Sequence, residues 1–135
     1  VNLAKQLNIL ISDMGLPLER VLMDPNTGAL GYGLEYTYSV MERIRLAALG
    51  GDPMLNLPVI CLVGAEAWKA KEARVGADQE PLWGEPRPRG IQWEIATAFP
   101  LLLAGAEVLV LRHPEALARL RKQVATFRAN GGGRD

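Results

Sequence analysis

The sequence is poor in the residues that build many common functional sites. Its 135 residues include one cysteine, Cys61, and one histidine, His113. A single cysteine excludes an internal disulfide and a cysteine-rich metal site, and an iron–sulfur cluster usually takes about four cysteines. Cys61 lies inside an apolar run, which is typical of a buried, unreactive thiol. Because no disulfide can form within the chain, we expect a cytoplasmic protein.

The sequence also lacks an excess of charge and a membrane-spanning run. Fifteen Lys and Arg residues balance fifteen Asp and Glu residues, so the net charge is zero. Bulk nucleic-acid binding needs a basic face that replaces phosphate counterions, so we expect no nucleic-acid partner. No run reaches the roughly 18 apolar residues of a membrane span, and no signal peptide leads the chain, so we expect no membrane contact.

What the sequence does contain is an alternation of helical and strand-like segments. Apolar spacing of three and four residues predicts helices over 2–14, 34–49, 65–73, 91–104 and from 114 onward. Continuous apolar runs predict strands at 21–23, 58–63 and 107–111, with both faces covered. The order α-β-α-β-α-β-α indicates parallel strands joined by right-handed crossovers.

Two fold families share this spacing, the (β/α) barrel and the doubly wound sheet. Three strands cannot close a barrel, which needs eight strands and typically about 250 residues. A part of a barrel would expose sheet edges and apolar faces. We therefore expect the missing strands to come from elsewhere in a parent protein, or the edges to be covered by association.

Within the helices, three features give specific expectations. On the second helix, Tyr36, Val40, Ile44 and Ala47 share one face, which predicts that Tyr36 is part of the core. Pro100 should kink the helix over 91–104 or limit its first half. The stretch 74–90 is rich in proline and glycine and is predicted to be irregular.

In parallel α/β proteins, working residues lie where strands end. The loop 24–33 follows the first predicted strand and holds Gly28, Gly31 and Gly33. Their order, G-x-x-G-x-G, differs from the dinucleotide fingerprint, and no Gly-Lys-Ser/Thr follows. The glycines permit tight turns, or let a large flat ligand approach the backbone. Asp24 is a candidate general base, ligand acceptor or loop cap.

Other candidate residues lie outside this loop or at its end. Tyr32 is a candidate for contact with a ligand or partner. Arg112 and His113 precede the last helix, where they could hold an anion, although His113 could instead cap its own helix. Trp83, in a polar loop, either packs under that loop or on a partner. No pattern supports a metal site or a Ser/His/Asp arrangement.

Several motifs together resemble one known family. They are DPNTGALGYGLEY at 24–36, SVMER at 39–43, RLAAL at 45–49, RGIQWE at 89–94 and RHPEA at 112–116. The chain resembles the delta subunit of acetyl-CoA decarbonylase/synthase, also called the small subunit of the corrinoid iron–sulfur protein. The resemblance covers nearly the whole chain, and its first motif is long and unusual.

The resemblance implies a fold and a set of partners. It implies that residues 1–135 form a single partial domain, the C-terminal part of a TIM barrel. The glycine-rich residues at 131–135 themselves predict a flexible tail. The resemblance implies a heterodimer with a large subunit that carries the iron–sulfur cluster and holds the corrinoid (cobalamin). That corrinoid shuttles a methyl group from a methyl-pterin methyltransferase to the acetyl-CoA synthase centre in the reductive acetyl-CoA (Wood–Ljungdahl) pathway of carbon fixation.

The resemblance also implies a role for the strand ends. The leading hypothesis is a non-catalytic subunit whose barrel top shields the partner's corrinoid. The residues expected to contact the corrinoid are Asp24, Asn26, Thr27, Gly28, Gly31, Tyr32, Gly33, Trp83, Arg112 and His113. The alternative hypothesis is a pterin-dependent methyltransferase on the same barrel, in which Asp24 and Asn26 would hold the pterin.

Overall fold

A computed structural model describes residues 1–131, so that positions 132–135 of the predicted tail lie outside the described residues. The helices are α1 (Asn2–Asp13), α2 (Leu34–Leu49), α3 (Val63–Ala67), α4 (Lys71–Arg74), α5 (Pro86–Leu103) and α6 (Pro114–Gly131). The strands are β1 (Ile60–Cys61) and β2 (Val108–Leu109). Single 3-10 turns lie at Leu18–Arg20, Pro53–Leu55 and Pro81–Trp83.

The chain is mixed α/β but mostly helical, and the predicted TIM barrel is wrong for the described residues. Strand β1 pairs in parallel with β2, and these two strands are only two residues long. The predicted strand at 21–23 contributes one parallel bridge, between Met23 and Val59. The parallel orientation is therefore confirmed. The ladders are shorter than the apolar runs because the chain turns early: Val63, predicted to end a strand, already begins α3.

The short sheet is covered on one face only, against the expectation of two covered faces. Met23, Val59 and Cys61 point into the core. On the other face, Leu22 and Val110 are 48% and 43% exposed. Successive strand residues point to opposite faces, so an apolar run alone does not show whether the second face is covered.

The core lies between this sheet face and helices α2 and α5. The buried residues of α2 are Leu34, Thr37, Met41 and Ile44. Tyr36 is 73% exposed, so its predicted place in the core is wrong. The other predicted positions hold: Ile44 is buried, and Val40 and Ala47 pack against the core. The polar Thr37, which a search for apolar periodicity passes over, is also buried.

Helix α5 is longer at its start than predicted. It begins at Pro86, where proline fits the first helical turn because no backbone N–H is needed there. The helix also runs past Pro100 to Leu103, so proline does not limit it as expected. Its buried face includes Ile91, Ile95 and Ala98.

Helix α1 is attached by polar contacts. The Asn8 amide donates a hydrogen bond to the Met54 carbonyl at 2.7 Å, and Lys5 pairs with Asp52 at 2.6 Å. The Lys5 ammonium lowers the pKa of the Asp52 carboxyl below its ordinary value. Three leucines of α1 and the residue that caps its end are exposed: Leu3, Leu7, Leu10 and Met14. Within residues 1–131, none of the helices has the length and apolar character that a membrane crossing requires.

Candidate functional site at the loop 24–33

The loop 24–33 is held by two threonine hydroxyls near the sheet. Thr37 of α2 accepts a hydrogen bond from the Gly28 N–H at 2.7 Å and donates to the Asn26 carbonyl at 3.1 Å. Thr27 accepts from the Leu62 N–H at 2.9 Å, directly after β1. Both threonines are buried, so the loop backbone is tied to α2 and to the neighbouring strand end.

A third threonine ties the loop to α5. The Leu30 N–H donates to the hydroxyl of Thr97 at 3.2 Å, and the Trp93 indole donates to the Leu30 carbonyl at 3.2 Å. Thr97 is fully buried. Because buried backbone groups without partners are costly, these bonds fix the loop in one arrangement.

The glycines of the loop serve its own geometry. Gly31 and Gly33 have φ values of 76° and 100°, in the left-handed region that glycine adopts without strain. A Cβ at residue 28 would lie 2.5 Å from the Gly33 carbonyl carbon. The absence of a side chain at Gly28 therefore lets the two ends of this loop segment, residues 28 and 33, pack against each other.

Asp24 forms the cap that its sequence context suggested as one alternative. Its Oδ1 accepts a hydrogen bond from the Asn26 N–H at 2.8 Å, which is an Asx turn. This turn supports Asn26 at a φ of 64°, a conformation that asparagine tolerates better than most residues. The carboxylate of Asp24 is thus engaged in shaping the loop.

The loop forms one wall of an open polar cavity of about 500 Å³. The opposite wall comes from the segment that follows β1, where Lys69 and Glu66 form an ion pair at 2.6 Å. The lining residues are Asn26, Thr27, Gly28, Tyr32, Gly33, Tyr36, Glu66 and Lys69. Five of the predicted site residues therefore share one cavity. Polar groups from two neighbouring strand ends converge there, as expected for a parallel sheet.

Tyr32 links this cavity to α4. Its hydroxyl donates to Glu72 at 2.9 Å and accepts from the Lys71 N–H at 3.3 Å. The ring is 52% exposed, so its face remains available at the cavity rim.

Trp83 does not line the loop cavity. The Lys71 ammonium lies 5.2 Å from the centroid of its ring, and the Arg89 guanidinium lies 5.5 Å from it. Such cation–π contacts hold the ring against its own segment of chain. Trp83 is still 38% exposed.

Arg112 and His113 lie beside another aromatic residue. The Nδ1 atom of His113 accepts a hydrogen bond from the Glu115 N–H at 3.1 Å, so His113 caps its own helix, α6. Its ring stacks on Trp68 at 6.1 Å, and the Arg112 guanidinium lies 5.3 Å from the Trp68 centroid. Like Asp24 and Gly31, these two residues do not line the loop cavity.

Glu94 organises this second region, and the sequence reasoning missed it. Its side chain is fully buried. It accepts hydrogen bonds from the Trp68 indole at 2.7 Å, from the His113 N–H at 3.2 Å and from the Arg112 N–H. Its position in the sequence could have indicated its burial, since Glu94 lies on the same apolar stripe as Ile95. Among the described residues, no group of three or more His, Cys, Asp or Glu side chains is placed to hold a metal ion.

Comparison with known proteins decides the family. The profile described as CO dehydrogenase/acetyl-CoA synthase delta subunit matches residues 1–126. The chain belongs to this delta-subunit family. The resemblance drawn from the motifs is therefore confirmed.

Individual members of the delta-subunit family agree. The delta subunit of the acetyl-CoA decarbonylase/synthase complex from Methanopyrus kandleri is 49% identical over 117 residues, which are 87% of this chain and 28% of that protein. Delta subunit 1 of the complex from Methanosarcina thermophila is 42% identical over 131 residues, 94% of this chain and 30% of that protein. The chain thus spans less than a third of the length of these curated relatives.

Proposed function

We propose that this chain is part of a delta subunit of an acetyl-CoA decarbonylase/synthase complex, and that its loop cavity contacts a corrinoid held by a larger partner subunit. The corrinoid would carry a methyl group from a methyl-pterin to the acetyl-CoA-forming centre. Family membership supports the complex. The observation that carries the corrinoid contact is the convergence of polar groups from two neighbouring strand ends on one open cavity.

The cavity residues fit contact with the edge of a corrinoid. The rim of a corrin macrocycle bears amide side chains, which need both donors and acceptors. Asn26 offers an amide, Lys69 an ammonium and Glu66 a carboxylate. The cavity is open to solvent, which suits a large ligand that another chain holds. Its lining includes neither histidine nor cysteine, so the described residues offer the cobalt no soft or imidazole ligand there.

The role that follows for this chain is positioning and shielding. When bound, the corrinoid supplies the cobalt that carries the methyl group. The chain's own residues would orient the ring edge by hydrogen bonds and exclude water from it. The anchored loop suits this role because fixed donors lose little freedom on binding.

Reconstitution of the intact delta subunit with its corrinoid-bearing large subunit tests the proposal. The rate of methyl transfer from methyl-pterin, and the access of a small reductant to the corrinoid, would be measured with and without the delta subunit. We expect both to change when the delta subunit is present. The proposal is wrong if both stay the same.

A matched pair of variants tests the cavity itself. Asn26→Gly removes the side-chain amide and keeps the left-handed backbone accessible. Asn56→Gly makes the same change at an exposed position outside the cavity. We expect Asn26→Gly alone to weaken the effect of the delta subunit on the corrinoid. Equal effects of the two variants would contradict a contact at the cavity.

The alternative function, pterin-dependent methyl transfer by this chain, has no specific observation in its favour. It needs strand-end Asp and Asn groups that are free to hold a pterin. Asp24 is engaged in the Asx turn and does not line the cavity. Titration of the intact delta subunit with methyltetrahydrofolate, without its partner, separates the two functions, because binding would favour the enzyme.

A further inference from the structure

A second open groove, of about 450 Å³, lies apart from the loop cavity and is rich in arginine. Arg74 comes from the end of α4, Arg87 from the first turn of α5, and Arg112 from the segment after β2. Three separate elements thus bring like charges to one place. Among the described residues, none of these three arginines forms a salt bridge.

The floor of the groove is prearranged. Trp68 lines it, and the Arg112 guanidinium lies over the Trp68 ring, 5.3 Å from its centroid. The Trp68 ring is held in turn by the hydrogen bond from its indole to the buried Glu94, at 2.7 Å. Gly90 has no side chain, and a Cβ there would lie 2.5 Å from the ring. Arg112 is therefore supported by a fixed aromatic surface.

The charge of the lining points to a doubly charged anion. Three arginines and one acid, Glu85, give the groove a formal charge of +2. Guanidinium groups bind phosphate with paired, parallel hydrogen bonds, and three of them can surround the several oxygens of one phosphate. A lone carboxylate would pair with one arginine and leave the others repelling each other. Trp68, Ala73 and Pro86 add an apolar wall beside the charges.

We infer that this groove binds the phosphate group of a small phosphorylated molecule, with the organic part of that molecule against Trp68. The inference is independent of the proposed function, since no residue lines both the groove and the loop cavity. The resemblance predicted that Arg112 contacts the corrinoid, whereas this inference assigns it a phosphate ligand.

Titration calorimetry on the intact delta subunit, without its partner, tests the inference. The probes are inorganic phosphate and phenyl phosphate at pH 8 and constant ionic strength, with an acidic peptide as a third arm. We expect both phosphates to bind, and phenyl phosphate to bind more tightly because its ring covers the apolar wall. Binding of the acidic peptide without any response to either phosphate would overturn the inference.

Single arginine variants locate the site. Arg87→Gln and Arg112→Gln should each weaken phosphate binding about tenfold, the effect of losing one charge-assisted contact. Arg43→Gln, on the exposed side of α2, is the matched control and should bind as the parent protein does. Thermal unfolding of each variant checks the fold, and Arg87 is the safer position because it is exposed in a first helical turn. Equal affinity in all three variants would show that the phosphate binds elsewhere.

Discussion

Glu94 is the residue on which the region around Trp68 depends. Its buried carboxylate accepts hydrogen bonds from one indole and two backbone N–H groups. Glu94→Gln keeps one acceptor oxygen and turns an NH₂ group toward donors, which leaves buried groups unpaired. We expect a loss of about 2 kcal/mol in the free energy of unfolding, measured by urea denaturation.

The control for this substitution is Glu42→Gln on the exposed face of α2. Glu42 forms no salt bridge within the described residues, so its replacement should leave the free energy of unfolding nearly unchanged. If Glu94→Gln were as harmless as the control, the carboxylate would not be the organising group.

Cys61 shows how burial governs a titrating group. Burial raises the pKa of the Cys61 thiol from an ordinary 9.0 to about 11. The folded protein keeps the thiol proton to higher pH than the unfolded chain does. The contribution of this protonated thiol to the free energy of unfolding is therefore complete below about pH 9 and is lost as pH rises through about 11. The stability of the parent relative to Cys61→Ala should fall over that range.

Alkylation gives an independent measurement on Cys61. At pH 8 the native thiol should resist iodoacetamide, because it is fully buried and protonated. In urea it should react readily. Rapid alkylation of the native protein would contradict the buried position beside Met41, whose sulfur lies 3.8 Å away.

At the scale of elements, the loop 24–33 depends on Thr37 of α2. Thr37→Val keeps the shape of the side chain but leaves the Gly28 N–H without its acceptor. We expect a loss of about 1–3 kcal/mol in the free energy of unfolding and a weaker effect of the delta subunit on the corrinoid. Thr37→Ser retains the hydroxyl and is the matched control. A loop that tolerated valine as well as serine would not be anchored by this bond.

Helix bounds were easier to predict from the sequence than buried polar residues such as Thr37. Helix α2 matches its predicted bounds, 34–49, and glycine flanks it at both ends, as Gly33 and Gly50. Thr37 was missed in its buried face, since this side chain is buried to bond the loop backbone and not to bury apolar surface. Thr97 and Glu94 on α5 escaped prediction for the same reason: both accept hydrogen bonds from backbone N–H groups of distant segments. The predicted strands are longer than the observed ones, because an apolar run does not show where the chain turns away from the neighbouring strand.

At the scale of the whole molecule, the described chain exposes several large apolar side chains. Leu22 and Val110 are exposed on one sheet face, and Leu3 and Leu10 are exposed on α1. Exposed apolar side chains that lie together on one face usually mark an interface. The chain spans about 30% of the length of a relative, and we expect the rest of a delta subunit to cover this surface.

Val110→Thr tests that cover by comparing two lengths of the protein. In the intact delta subunit the new hydroxyl would be buried without a partner, and we expect the free energy of unfolding to fall by about 1–3 kcal/mol. In the isolated 135-residue chain the same face meets water, so the change should be neutral and should reduce self-association in sedimentation. Val59→Thr is the control, because Val59 is buried within the chain itself and its replacement should destabilise both lengths. An equally small effect of Val110→Thr in both lengths would mean that the sheet face stays open to solvent in the intact protein.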